Sequence, residues 1–322
     1  MIGLLAAIVA AGILLPHALR LQRVHPVTAT VLWLSSLALR ALTGLLGVIL
    51  LLFFLPRTQL FGTVTHWCLD VALPVVGREL HVEGHGLADL ALLAPGIALA
   101  GSLLYACQRT ARAAGQARRL IANDVLGKGP RESLIIGGPD VSFAVAGLLH
   151  PRIVVSAGAL TSLDDEELDA ALDHERAHIV RRHRFVMLVA VAFAALGRAI
   201  PGTRCAVREL AFHLERDADR WALRQANDRL ALASVICKAA AAEPIAPPAL
   251  ASLGSTGVRE RLGQLLNEQP TRQPRPAAAA FTALATGMVF CTLLLTALVP
   301  AAAVAGVAED AHRTHHAHHC HH

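Results

Sequence analysis

The stretch His174-Glu175-Arg176-Ala177-His178 sets two imidazoles four residues apart around a carboxylate. On a helix this spacing brings both rings to one face, near enough to share a cation. Zinc favours neutral imidazole nitrogen and carboxylate oxygen, and a catalytic zinc site keeps one position open for water. Glu175 is too close in sequence to join that ligand set comfortably. Its expected role is to take a proton from the attacking water. Downstream, Glu215-Arg216-Asp217-Ala218-Asp219 offers a carboxylate ligand at Glu215. Asp219, one helical turn further on, shares that face and is placed to accept a hydrogen bond from the free nitrogen of a ligand imidazole. The competing reading is a surface charge pattern without a metal. Two motifs in this order, each on a helical segment, favour the metal site.

The elements that must hold these residues are legible around them. Asp164-Asp165-Glu166-Glu167 opens a helix, since acidic residues suit its positive N-terminal end. Leu168, Ala171, Leu172, Glu175 and His178 continue it at helical spacing. A second helix is expected over about Arg208 to Arg224, and a third over about Asp228 to Ala242. Ahead of them, Ser133–Gly137, Val141–Ala146 and Arg152–Ser156 read as three short strands separated by Gly and Pro. Their edge is a place where an extended substrate could add as another strand.

The rest of the chain looks built for lipid. Of 322 residues, 54% are hydrophobic and 16% charged, below the roughly 25% charged of an ordinary soluble domain. The mean hydropathy is +0.50. A formal net charge of +5 is too small to argue for a nucleic-acid partner. Six scattered cysteines form no C-x-x-C pair and make no case for a disulfide. Four apolar stretches approach the roughly 20 residues that a helix needs to cross a bilayer. They run from Ile2 to about Leu19, Val27 to Leu55, Leu87 to Cys107 and Ala277 to Gly306. Arg40 inside the second should face other helices or reach an interface. A further stretch, Phe185–Leu196, is short and suits a buried or interfacial helix better. Arginines cluster after the first and third spans and before the fourth, which marks those loops as cytoplasmic.

The expected architecture is therefore mostly α and membrane-embedded, with about four transmembrane helices. Residues 1–107 form a membrane region with three spans, and 108–276 a cytoplasmic α+β metallopeptidase domain. Residues 277–306 form the fourth span and 307–322 a His-rich tail. The lipid bilayer is then a partner, the localisation multi-pass in the cell membrane.

The sequence from Leu172 to His183, followed by Glu215 to Asp219, resembles the membrane zinc metallopeptidases of the BlaR/MecR type and, more distantly, the HtpX group. That resemblance implies a gluzincin site in which His174, His178 and Glu215 ligate zinc, Glu175 is the catalytic base and Asp219 supports a ligand. Val141–Ala146 through Pro151–Ser156 resembles the family's strands ahead of the metal helix, and Arg259-Glu-Arg-Leu-Gly263 its later arginine-containing helix. A protein substrate is implied, with a cytoplasmic repressor as one option. The family often has an acidic residue where this chain has His183, which leaves that position without an implied role. Receptors of this type also carry a large outer penicillin-binding sensor after the last span. Here residues 307–322 follow it, so direct beta-lactam sensing is not implied.

Two rival functions remain on sequence alone. One is a non-catalytic membrane signalling or scaffold protein with a structural metal site. The other is a metal-handling membrane protein led by the His/Cys tract His312–His322. For an enzyme, His183, His213 and the nearby arginines stand unranked as stabilisers of a developing oxyanion. Substrate identity and oligomeric state are not written in the sequence.

Overall fold

The computed structural model describes residues 2–19, 21–54, 84–147, 149–225, 228–241 and 257–266, with isolated helical positions at 63, 280, 283 and 287. Apart from those positions, the expected fourth span, the His-rich tail and the loop 56–83 lie outside the described residues.

Helix α1 (Ile2–Ala18) leads through a short 3-10 turn at Leu21–Arg23 into α2 (Pro26–Phe54). Among the described residues one helix is long and apolar enough to cross a bilayer, the Pro26–Leu52 portion of α2. Helix α3 (Gly84–Asn123) covers the expected third span and continues well past it. The arginines assigned above to a cytoplasmic loop, Arg109 to Arg119, therefore lie on a helical continuation rather than in a loop. The composition suits this, because the stretch from Thr110 to Ala122 has no proline and is rich in alanine and arginine, with Gly115 its one weak helix former.

A four-stranded sheet follows, from β1 (Val125–Lys128), β2 (Leu134–Ile136), β3 (Phe143–Ala146) and β4 (Arg152–Ser156). The spatial order is β1-β2-β4-β3. β1 and β2 are antiparallel, β2 and β4 parallel, and β4 and β3 antiparallel with Phe143 opposite Val155. Three strands match the expected ones. β1 was not foreseen, because Gly127 and a register shift between Val125 and Gly127 break its alternation.

Six more helices follow among the described residues: α4 (Ala157–Ser162), α5 (Asp165–Val180), α6 (His183–Leu196), α7 (Thr203–Leu223), α8 (Arg229–Ala241) and α9 (Val258–Leu266). One core joins the sheet to α5, α8 and α9 through Phe143, Val155, Leu172, Leu232, Ile236 and Leu265. A second joins α2 to α6 and α7 through Leu32, Trp33, Leu37, Ala190, Leu210 and Leu214. Helix α6, at 14 residues, is about 21 Å long against a hydrocarbon core of roughly 30 Å. It packs on α2 and α3. Arg40 faces its neighbouring helices as expected: fully buried, it donates to the Ile13 carbonyl at 3.1 Å and lies 2.9 Å from His17 Nε2.

Candidate metal centre

Helix α5 begins at a reciprocal cap. The Asp164 carboxylate accepts the Glu167 backbone N–H at 2.8 Å, and the Glu167 side chain accepts the Asp164 N–H at 3.1 Å. Glu167 is tied further to Lys238 Nζ at 2.6 Å and Ser234 at 2.6 Å, which pins this end of α5 to α8. Along α5, Ala170, Ala171 and Ala177 are fully buried, and so are Ala218 and Ala222 on α7. Alanines on both faces allow a close approach of the two helices. That approach sets the His174/His178 pair of α5 against the Glu215/Asp219 pair of α7.

The resulting geometry fits a single cation. His174 Nε2 lies 3.2 Å from His178 Nε2, 3.4 Å from Glu215 Oε2, and His178 Nε2 lies 3.5 Å from Glu215 Oε1. Donors on a tetrahedron with bonds of about 2.0–2.1 Å are separated by about 3.3–3.4 Å. These three atoms therefore stand where zinc ligands would stand. Two imidazole nitrogens aimed at one another beside a carboxylate need a proton or a cation between them. Among the described residues, these three form the one group of His, Cys and acidic side chains close enough to hold a metal.

The supporting charges are ordered. Asp219 Oδ1 lies 2.9 Å from His174 Nδ1, on the opposite side of the ring from the centre. Arg261 of α9 reaches in fully buried. It donates to Glu215 Oε2 at 3.0 Å and forks onto Asp219 at 2.7 and 2.8 Å. Burial pushes both carboxyls up, but His178 and Arg261 outweigh it at Glu215, and Arg261 and His174 at Asp219, so both fall below the usual range. Burial likewise disfavours charge on His174, yet Asp219 and Glu215 overcome it and raise that imidazole to about 9. His178 is lowered to about 3 by burial above all, with His174 and His183 adding to the effect. A divalent cation at the centre would compete with the proton that these two carboxylates favour on His174.

Glu175 differs from all of these. It is 1% exposed, and neither carboxylate oxygen has a hydrogen-bond partner among the described residues. Burial, reinforced by Glu215 and opposed by His174 and Arg261, pushes its carboxyl up to about 7. A buried carboxyl with idle oxygens beside a ligand set is costly as structure and suited to moving a proton.

Residues 90–265, more than half of the chain, match the BlaR1 peptidase M56 family. The chain belongs to that family. The match begins on α3 and ends on α9, so it takes in both motifs and Arg261. No curated protein matches the chain. All five site residues expected in this M56 peptidase-family chain are brought together: His174, His178 and Glu215 around the centre, Glu175 beside it, and Asp219 behind His174.

Three further residues were not foreseen in their roles. Arg261 bridges the two carboxylates of α7. The signal for it lay in the pattern Val258, Arg261, Leu262, Leu265, which sets an arginine on the apolar stripe of a helix. His183 packs its ring behind His178. Arg184 donates to the Gly147 carbonyl of the β3–β4 turn, and its charge acts on Glu175. Of the residues left open as oxyanion stabilisers, His183 has both ring nitrogens engaged. His213 is buried against Arg216 at 3.0 Å, apart from the ligand cluster.

Proposed function

We propose that this M56-family chain is an integral-membrane zinc endopeptidase that hydrolyses a protein substrate at the cytoplasmic face of the membrane. The observation that carries the reading is the unpartnered buried carboxylate of Glu175 next to three convergent ligand atoms. A structural metal site has no use for such a group. His174, His178 and Glu215 would hold the zinc, which when bound supplies Lewis acidity toward a peptide carbonyl and toward water.

The chain's own residues do the rest. Glu175 takes one proton from the water whose oxygen adds to the scissile carbonyl carbon. It then delivers that proton to the amide nitrogen as the C–N bond breaks, which leaves a carboxylic acid and an amine. Asp219 holds His174, and Arg261 holds Glu215 and Asp219, so the ligands are fixed before substrate arrives. Arg184, half-buried with its charge acting on Glu175, is the side chain best placed to steady negative charge on the carbonyl oxygen. β3 is an edge strand packed against α5, and an extended peptide adding along it would run past the site.

The multi-pass layout and the cytoplasmic orientation rest on the apolar stretches and arginine placement of the sequence. The family resemblance supports a repressor as substrate. Quantitative proteomics of cells with the wild-type protein against the Glu175→Gln variant tests the whole reading. A substrate fragment should occur with the wild type alone, while both proteins retain zinc. Equal fragment patterns from the two would favour the scaffold reading instead.

A further inference from the structure

We propose that His183 is a positioning residue for His178: it accepts the Nδ1–H of that ligand and anchors it to an Asp217–Arg181 pair. The inference rests on the reading of His174, His178 and Glu215 as metal ligands, and it concerns a position with no role so far.

His183 opens α6 immediately after Arg182, whose backbone sits in the left-handed region at φ 54. That turn folds the ring back over α5. The His183 and His178 rings meet edge-on at 4.9 Å between centroids, with their Nδ1 atoms 3.0 Å apart. The other nitrogen, Nε2, lies 3.2 Å from Asp217 Oδ2. Asp217 in turn is gripped by Arg181, whose Nε donates to Oδ2 at 2.8 Å and Nη2 to Oδ1 at 3.1 Å. Both His183 and Asp217 are buried.

The order of donors follows from the chemistry of the groups. An Asp217 held by a guanidinium only accepts, so His183 Nε2 carries the proton in their contact. His183 Nδ1 is then a lone pair, and His178 must present Nδ1–H to it. This is the one arrangement that leaves the His178 Nε2 lone pair free for a cation. His183 is not itself a ligand, because it meets His178 at Nδ1, away from the Nε2 that faces the centre. The two ligand imidazoles are thus fixed by different devices. His174 faces a carboxylate directly, whereas His178 reaches one through an interposed imidazole.

The full chain in detergent micelles, titrated with zinc against a chromophoric chelator near neutral pH, tests the idea. Asn places Oδ1 where histidine carries Nδ1, whereas Leu fills the space without an acceptor. Zinc affinity should fall about 10–100-fold in H183L and stay within about threefold of wild type in H183N. The cobalt(II)-loaded H183N protein should keep the wild-type visible spectrum. Melting of the metal-free proteins reports folding, and H183A replaces H183L if the latter does not fold. Equal affinity of H183L and wild type would overturn the proposal, as would equal losses in H183L and H183N. A wild-type protein that binds no zinc would instead overturn the metal reading beneath it.

Discussion

Replacing Arg261 by Leu should destabilise the metal-free protein by about 3–5 kcal/mol, the usual cost of stripping one partner from a buried ion pair. Arg261 lies within 2.7–3.0 Å of Glu215 and Asp219, and all three side chains are almost wholly buried. Without the guanidinium, two carboxylates of one helix face are left in the interior with His174 as their nearest cation. For a folded unit of this size, 1 kcal/mol corresponds to about 2–4 °C in Tm, so a loss of about 6–20 °C is expected. R261K should fall between, because an ammonium keeps the charge and loses the fork.

The pH dependence separates electrostatics from packing. Burial pushes the Glu215 and Asp219 carboxyls up, but Arg261 and the histidines hold both below their ordinary values. A depressed carboxyl contributes stability above its unfolded pKa and loses it as pH falls toward the folded value. The gap between wild type and R261L should therefore be widest near pH 7 and close progressively below about pH 4. Thermal melts of both proteins in micelles with chelator present, across that range, give the answer. A gap under 2 °C at pH 7, roughly 1 kcal/mol or less, would refute the reasoning, and so would a gap that ignores pH.

Glu175→Gln should retain zinc, lose about 10²–10⁴-fold in cleavage rate, and melt higher than wild type. The raised carboxyl of Glu175 favours folding in its protonated form, and that advantage is lost as pH climbs from about 4.5 to 7. The stabilisation by E175Q should accordingly be absent near pH 4 and about 1–3 kcal/mol above pH 7, read by the same melts. Glu167→Ala removes the side-chain acceptor for the Asp164 N–H in the capping box, together with the Lys238 and Ser234 contacts, and should cost about 2–3 kcal/mol at neutral pH. Burial raises the Glu167 carboxyl but Lys238, Ser234 and the Asp164 N–H lower it further, so this cost should shrink below about pH 4.5 in urea titrations. At Gly44 an added Cβ would stand 2.6 Å from the Leu196 carbonyl oxygen. G44A should prise α2 from the end of α6 at a cost of about 1–3 kcal/mol, and an unchanged Tm would contradict that packing.

How much of this was readable in advance depended on distance along the chain. His174, Glu175 and His178 declare themselves within one helical turn, and Glu215 and Asp219 repeat the spacing four apart. Local rules therefore sufficed to pick out the residues that the fold brings together. Arg261 resisted because its meaning is a charge balance with carboxylates more than forty positions away, and only its place on an apolar stripe hinted at burial. His183 was opaque for a different reason. Its partner is the back of the His178 ring, reached through a left-handed turn at Arg182 that no propensity argument assigns to an arginine. The third apolar stretch closes at Cys107, yet α3 stays helical through Asn123, because its alanine- and arginine-rich continuation keeps helical propensity after the apolar part ends.

Helix α7 shows why the site and the long apolar helix α2 belong to one mechanical unit. Ala206, Leu210 and Leu214 recur at fourfold spacing and pack into the core shared with Leu32, Trp33 and Leu37 of α2. Glu215, Ala218, Asp219 and Ala222 occupy the adjoining face and meet α5. Leu214 and Glu215 are neighbours in sequence yet serve these two different contacts. A rotation or slide of α7 large enough to relieve one core would carry the Glu215 carboxylate off the His174/His178 pair. Ligand spacings of 3.2–3.5 Å leave little room for that, because bonds to a small divalent ion tolerate only about 0.2 Å. Packing of α7 on α2 thus constrains the Glu215 carboxylate alongside Arg261.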